Sequence, residues 1–201
     1  QKCAILSRKK PQELCLKEIK ENCRVGDIID AKVTHLESFG AFCDIGCGIY
    51  ALLPIDNISV SRIPHPNVRF SVGDEIKVII KAIDEDNRVT LTHKELLGTW
   101  EENASVFSVG ETVSGIIRSV ENYGIFIELA PNLAGLAEYT SNVEAGQQAS
   151  VYIKSIIPEK MKFKLIIVEA FNADYPPAEP AYFFEDDHID YFKYSPNSAD
   201  R

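Results

Sequence analysis

From residue 25 onward, apolar and polar positions alternate with a period of two. Ile29, Ala31 and Val33 interleave with Asp30, Lys32 and Thr34, as in a strand that buries one face and wets the other. A second strand follows over residues 41–45, and turn residues Gly46 and Gly48 lead into a third over residues 49–55. A long loop containing Ser59, Ser61, Arg62, Pro64 and Pro66 then crosses to Val72-Gly73-Asp74. Residues 75–83 and 88–93 form a closing hairpin around the turn residues 84–87. Five short strands with one long connection, between the third and fourth, predict a small Greek-key barrel.

The pattern then recurs. VTHLESFGAFCDIGCGIYALL at residues 33–53 returns as IRSVENYGIFIELAPNLAGLA at residues 117–137, a constant offset of 84. Phe39, Gly40 and Phe42 map onto Tyr123, Gly124 and Phe126. A repeat of this length means two similar domains rather than one large one. The second has a shorter middle: only residues 139–146 separate its third strand from its fourth at 149–156, and 163–168 close it. The expected layout is an N-terminal helical segment (1–24), a first barrel (25–95), a helical linker (96–108), a second, degenerate barrel (109–170) and a C-terminal extension (171–201).

Helical periodicity appears only outside the barrels. Leu14, Cys15, Ile19 and Cys23 lie near helical spacing behind Pro11, which suits a first turn. In the linker, Leu96, Leu97, Trp100, Ala104 and Phe107 share that spacing, and Trp100 is expected to pack the junction between barrels. The extension is acidic yet rich in rings (Tyr182, Phe183, Phe184, Tyr191, Phe192, Tyr194), too aromatic for a solvated tail. Its rings are expected to pack back on a barrel as a turn-linked pair of short strands. They cover either the Tyr123/Phe126 surface or apolar surface elsewhere.

Composition narrows the class without naming it. At 45% apolar and 25% charged, the chain reads as an ordinary globular protein. No apolar run reaches the ~18 residues of a membrane span, and the opening QKCAILSRKK has no signal-peptide core. A cytoplasmic protein with reduced thiols is the expectation, in keeping with five cysteines, an odd number. Cys43 and Cys47 are three residues apart, but no second pair completes a metal site, so no metal and no cofactor are expected and both read as buried small residues. The net charge of −9 is uneven: residues 1–24 carry +4, residues 25–95 and 96–170 carry −4 each, and residues 171–201 carry −5. Such a chain is no general polyanion binder.

Candidate chemistry therefore rests on the repeated aromatics. A strand alternates its faces, so two rings three residues apart need a local kink, expected at Gly40. Phe39 and Phe42, and again Tyr123 and Phe126, would then project together and form a stacking platform for bases. Lys32 and Arg88 are placed on strands that border the first pair, and Arg62 on the loop beside it. Arg and Lys next to aromatic faces is the arrangement that holds single-stranded RNA. No phosphate loop, GxSxG, HExxH or GxGxxG motif is present, so an enzyme is not expected.

SFGAFCDIG, the turn and apolar strand after it, VGDEIKV and the closing IDEDNRVTLTHK together resemble the RNA-binding repeat of bacterial ribosomal protein S-one. LLGTWEEN…VGETVSG resembles the link between its tandem repeats, so the likeness covers residues 25–170. It implies a mainly β fold of two tandem five-stranded oligonucleotide-binding (OB) Greek-key barrels. The resemblance also implies RNA contacts from Phe39, Phe42, Asp84 and Arg88. The family's strand-three histidine is replaced by Pro54 here, and by Glu138 in the second repeat, which keeps Tyr123 and Phe126 and offers Lys162 near the arginine position. The expected function is non-enzymatic binding of single-stranded RNA (mRNA or rRNA), linked to translation or RNA metabolism, by a monomer without membrane attachment, with the ribosome as an implied partner. The alternative is a protein-interaction adaptor of the ribosome or the RNA-degradation machinery.

Overall fold

The computed structural model describes residues 12, 14, 15, 17, 19, 23–173, 179–184 and 186–196. They fall into two compact units. The first comprises Gln1–Ile58, His65–His93 and Asp186–Asp190; the second comprises Ser59–Pro64, Lys94–Glu185 and Tyr191–Arg201.

In the first unit, β1 (Ile28–Glu37), β2 (Gly40–Asp44), β3 (Tyr50–Pro54), β4 (Glu75–Ile83) and β5 (Val89–Thr92) close a barrel in the order β1-β2-β3-β5-β4. The period-two pattern decides which side chains fill it: Ala31 and Val33, Ala41 and Cys43, Ala51 and Leu53 all point inward and are buried. Only the β3–β5 contact is parallel. Residues 55–58, directly after β3, lie along the outer end of β5. There His93 N donates to Asn57 O at 2.8 Å, and the Asn57 amide donates to Leu91 O at 3.2 Å. His93 is buried, bonds Ile58 O through Nδ1 at 3.0 Å and meets Phe70 edge to face at 5.2 Å.

The second unit repeats the topology with β6 (Thr112–Glu121), β7 (Gly124–Ala130), β8 (Leu133–Ala137), β9 (Gln148–Ile157) and β10 (Lys162–Phe171), closed as β10-β8-β7-β6-β9. Two five-stranded closed barrels are the fold that the alternation predicts. The helix before the second barrel is shorter than the periodicity of residues 96–107 implies. It runs only over Trp100–Ser105, opened by a Thr99/Glu102 capping box, because Gly98 at φ 82° holds a conformation no helix continues through. Trp100 is buried against Phe163 at 5.8 Å, inside the second barrel's own core.

Asn132, fully buried between β7 and β8, ties three segments of the second unit together. Its amide donates to Lys94 O at 2.7 Å and Gly98 O at 2.8 Å, its Oδ1 accepts from Val60 N at 3.0 Å, and its carbonyl accepts from the Tyr194 hydroxyl. Burial pushes the Tyr194 phenol up to about 12.

The extension does not form the expected pair of strands. Among the described residues it makes one isolated bridge, Asp27↔His188, in the first unit. In the second unit Phe183 N donates to Leu96 O at 2.9 Å, and Tyr194 O accepts from Trp100 N at 3.0 Å. Tyr123 stays 72% exposed, so the described part of the extension packs elsewhere and leaves the second aromatic pair open.

The expectation of reduced thiols also fails at one place. Gln12, Leu14, Cys15, Lys17 and Ile19 are helical, and Cys15 is joined to Cys47 by a disulfide with the Cα atoms 6.5 Å apart. Cys47 is thus not the buried free thiol its neighbourhood indicated. It sits at positive φ in the tight turn between β2 and β3, which turns its side chain toward the helix, and Gln12 bonds Gly48 O in the same turn at 3.1 Å. Cys43 is the buried small residue expected, with its thiol pushed up to about 12 by desolvation. A thiol of that kind is inert.

Candidate nucleic-acid interface

Register brings the outward residues of four strands of the first barrel into one row. His35 on β1 faces Phe42 on β2, Phe42 faces Leu52 on β3, and Leu52 faces Thr90 on β5. The adjacent row holds Lys32, Asp44 and Tyr50. Arg88, expected on a strand, instead ends the β4–β5 turn, directly before β5.

Phe39 and Phe42 project together, but not for the reason expected. The bulge lies in β1, at Thr34 between Val33 and His35, where the Thr34 hydroxyl donates to Phe42 O at 3.0 Å. Phe39 belongs to the β1–β2 turn rather than to a strand, and its carbonyl accepts from Ile55 N at 2.9 Å. Gly40 is needed for close approach: a Cβ there would lie 2.4 Å from Leu53 O. The result is an edge-to-face pair with centroids 6.1 Å apart, Phe39 53% exposed and Phe42 half-buried.

The other first-barrel candidates divide. The Asp84 carboxylate accepts from Arg88 N at 2.7 Å and so shapes the β4–β5 turn, in which Asn87 has φ 65°. Arg88 extends its guanidinium into solvent, 3.7 Å from Asp86. Lys32 is exposed and lies across from Asp44 and Glu75 on the flanking strands. Arg62 is exposed on the Ser59–Pro64 segment, which groups with the second unit. His35, Tyr50, Leu52 and Thr90 escaped the sequence reading. The alternation of Tyr50 with buried Ala51 was the available signal for one of them; His35 is held by Glu37 at 2.7 Å.

The second barrel rebuilds the row as Ser119, Phe126, Leu136 and Lys164. Tyr123 and Phe126 again meet edge to face at 6.1 Å, and a Cβ on Gly124 would lie 2.7 Å from Ala137 O. Lys164, missed in the sequence, occupies the row itself, while Lys162 is exposed two residues earlier and Glu138 is exposed after β8. Arg118 sits at the β6 bulge and forks onto Glu128 at 2.8 and 3.1 Å with both side chains largely buried, so its charge is spent inside the protein. Among the described residues, no group of three His, Cys, Asp or Glu is placed to hold a metal.

A closed five-stranded barrel that exposes aromatic rings and basic residues on one strand face defines an OB-type nucleic-acid-binding protein. Residues 23–94 match the S1 RNA binding domain family. The chain is 32% identical over 178 residues to small ribosomal subunit protein bS1 of Staphylococcus aureus, covering 82% of this chain and 45% of that protein. It is 30% identical over 162 residues to bS1 of Rhizobium meliloti, covering 74% of this chain and 28% of that one. GSP13 from Bacillus subtilis, a solved structure, is 26% identical over 42% of this chain and 72% of its own, with a TM-score of 0.36. The match to the S1 RNA-binding domain lies in the first barrel, the similarity to bacterial bS1 proteins runs through most of the chain, and the chain spans less than half the length of the curated relatives just named. Among the described residues no helix is long and apolar enough to cross a membrane.

Proposed function

We propose that the first barrel binds single-stranded RNA by stacking bases on Phe39 and Phe42 and holding phosphates with Arg88 and Lys32. The observation that carries this reading is the edge-to-face Phe39/Phe42 pair, with Phe39 exposed and Phe42 half-buried within the His35–Phe42–Leu52–Thr90 row. Tyr50, 61% exposed in the neighbouring row, offers a third stacking surface. Asp84 positions Arg88 through the turn rather than touching RNA. The second barrel is an auxiliary site, with Tyr123 and Phe126 as rings and Lys162 and Lys164 as cations; Arg118 is withheld by Glu128. Arg62 acts with the second unit. The protein works as a monomer in the cytoplasm on mRNA or rRNA, in association with the ribosome, as a binder rather than a catalyst.

Titration of a fluorescent single-stranded oligoribonucleotide tests it. Binding is expected to weaken with salt at a log–log slope of about −1.4 to −2.8, from two to four cationic contacts. Phe39→Ala with Phe42→Ala is expected to cost ~1–3 kcal/mol per unstacked base. Unchanged affinity in a folded double variant overturns the proposal.

A further inference from the structure

Among the described residues, no strand pairs with the edge of β10 beyond its contact with β8. β8 pairs with β10 only at Leu136↔Lys164 and Ala137↔Leu165, whereas β9 follows β10 along the whole way to Phe171. On either side of the bulge at Val168, the residues of 166–170 that do not bond β9 direct their N–H and C=O groups away from it, into a groove of about 530 Å³ walled by residues 138–143. In that wall the Ser141 hydroxyl bonds the Asn142 side chain at 3.3 Å. The first barrel shows what belongs on such an edge. There the segment after β3 lies along β5, with Asn57 and Ile58 bonding Leu91 and His93. The second barrel's connection between third and fourth strands is half as long, residues 138–147 against 55–74, and does not reach.

We propose that this edge receives an extended peptide of a partner protein, added as a further strand, with apolar side chains at alternate positions and a lysine or arginine between them. Apolar surface stands ready on both sides of the groove: Val168 is 63% exposed, Tyr139 54% and Ile166 46%. Main-chain pairing along the edge supplies the binding and these side chains select alternate residues of the peptide. Charge decides the occupant. Glu138 and Glu169 line the groove against the one cation Lys154, so a basic peptide is attracted and an RNA backbone repelled. A second copy of the same edge would set Glu169 against Glu169, which disfavours a symmetric dimer.

The test uses the full chain and an eight-residue peptide of alternating lysine and valine. The peptide is expected to shift the amide resonances of residues 138–143 and 166–170 and to slow hydrogen exchange along residues 166–170 by about tenfold or more at saturation. A peptide of the same composition with its lysines and valines segregated, and one N-methylated at alternate residues, are expected to do neither. Glu138→Lys with Glu169→Lys, both exposed positions, is expected to weaken binding about tenfold while leaving RNA titration at the first barrel unchanged. Val168→Pro provides a second variant that blocks pairing without altering charge. Equal binding of the N-methylated peptide, shifts confined to the Phe39/Phe42 face, or chain dimerisation through β10 would each overturn the proposal.

Discussion

Phe39 and Phe42 stand edge to face, centroids 6.1 Å apart and planes at 88°, and Tyr123 and Phe126 reproduce that geometry at 6.1 Å and 84°. In both barrels a glycine under the pair lets the turn press onto the third strand, and a bulge in the first strand aims the inner ring outward. The two rings nevertheless differ in what holds them. Phe39 and Tyr123 are mostly in water, while Phe42 and Phe126 lie half-buried in their strand rows.

That difference separates binding from stability. Phe39→Ala is expected to lower RNA affinity by about 1–3 kcal/mol and to change folding stability by no more than ~0.5 kcal/mol. Phe42→Ala should lose affinity similarly and cost more stability, since part of its ring packs. Oligonucleotide titration beside urea unfolding of each variant reads both. Equal stability loss in the two variants would show that exposure does not distinguish the rings.

Asn132 is expected to be among the most sensitive polar positions of the second unit. Asn132→Ala strands Val60 N and Gly98 O without that partner and leaves Lys94 O with the bond from Leu97 N. Each orphan costs ~1–3 kcal/mol, so a loss of about 2 kcal/mol or more is expected in denaturant unfolding. A loss below about 1 kcal/mol would mean that the side chain is readily replaced by water.

His93 makes the first barrel sensitive to acid. Burial, aided by the nearby Arg69 charge and opposed by the Ile58 carbonyl, pushes its pKa down to about 4. The folded state then binds fewer protons than the unfolded chain, whose histidine titrates near ~6.5. Stability is therefore retained above that pH and lost as pH falls toward 4, by about 3 kcal/mol in all. An NMR titration of the His93 ring, with its midpoint near 4 and unfolding that follows protonation, is the expected result. A midpoint near 6.5 in the folded protein would refute the assignment.

The extension's contact with the first unit has its own pH window. His188 is raised by its bond to Asp27, and Asp27 is lowered first by Arg24 N and then by His188. The histidine's contribution is complete below ~6.5 and lost as pH rises through its raised folded value; the aspartate's is complete above ~3.9 and lost as pH falls. The contact is strongest between those limits. Hydrogen exchange of Ile28 N–H and Ile189 N–H, which bond Asp187 O and Gly26 O, is expected to show more protection at pH 6 than at pH 8 after correction for intrinsic rates. Asp27→Asn should abolish that difference, and equal corrected protection in the native chain at both pH values would contradict it.

Period-two alternation, the 84-residue offset and the glycine-centred aromatic pairs were legible in the sequence, because strand faces, duplication and turn chemistry are local. They determined two barrels, their strand sequence and which rings to suspect. Cross-strand pairing is not local. Only the closed sheet could decide that Phe42 shares a row with His35, Leu52 and Thr90, or that Lys164 joins Phe126. The bulge at Thr34, the Arg118–Glu128 fork, the Cys15–Cys47 bond and the placement of Ser59–Pro64 in the second unit likewise depend on segments far apart in the chain. A sequence states which side chains leave a strand on the same side; the register and shear of a closed barrel set which of them meet.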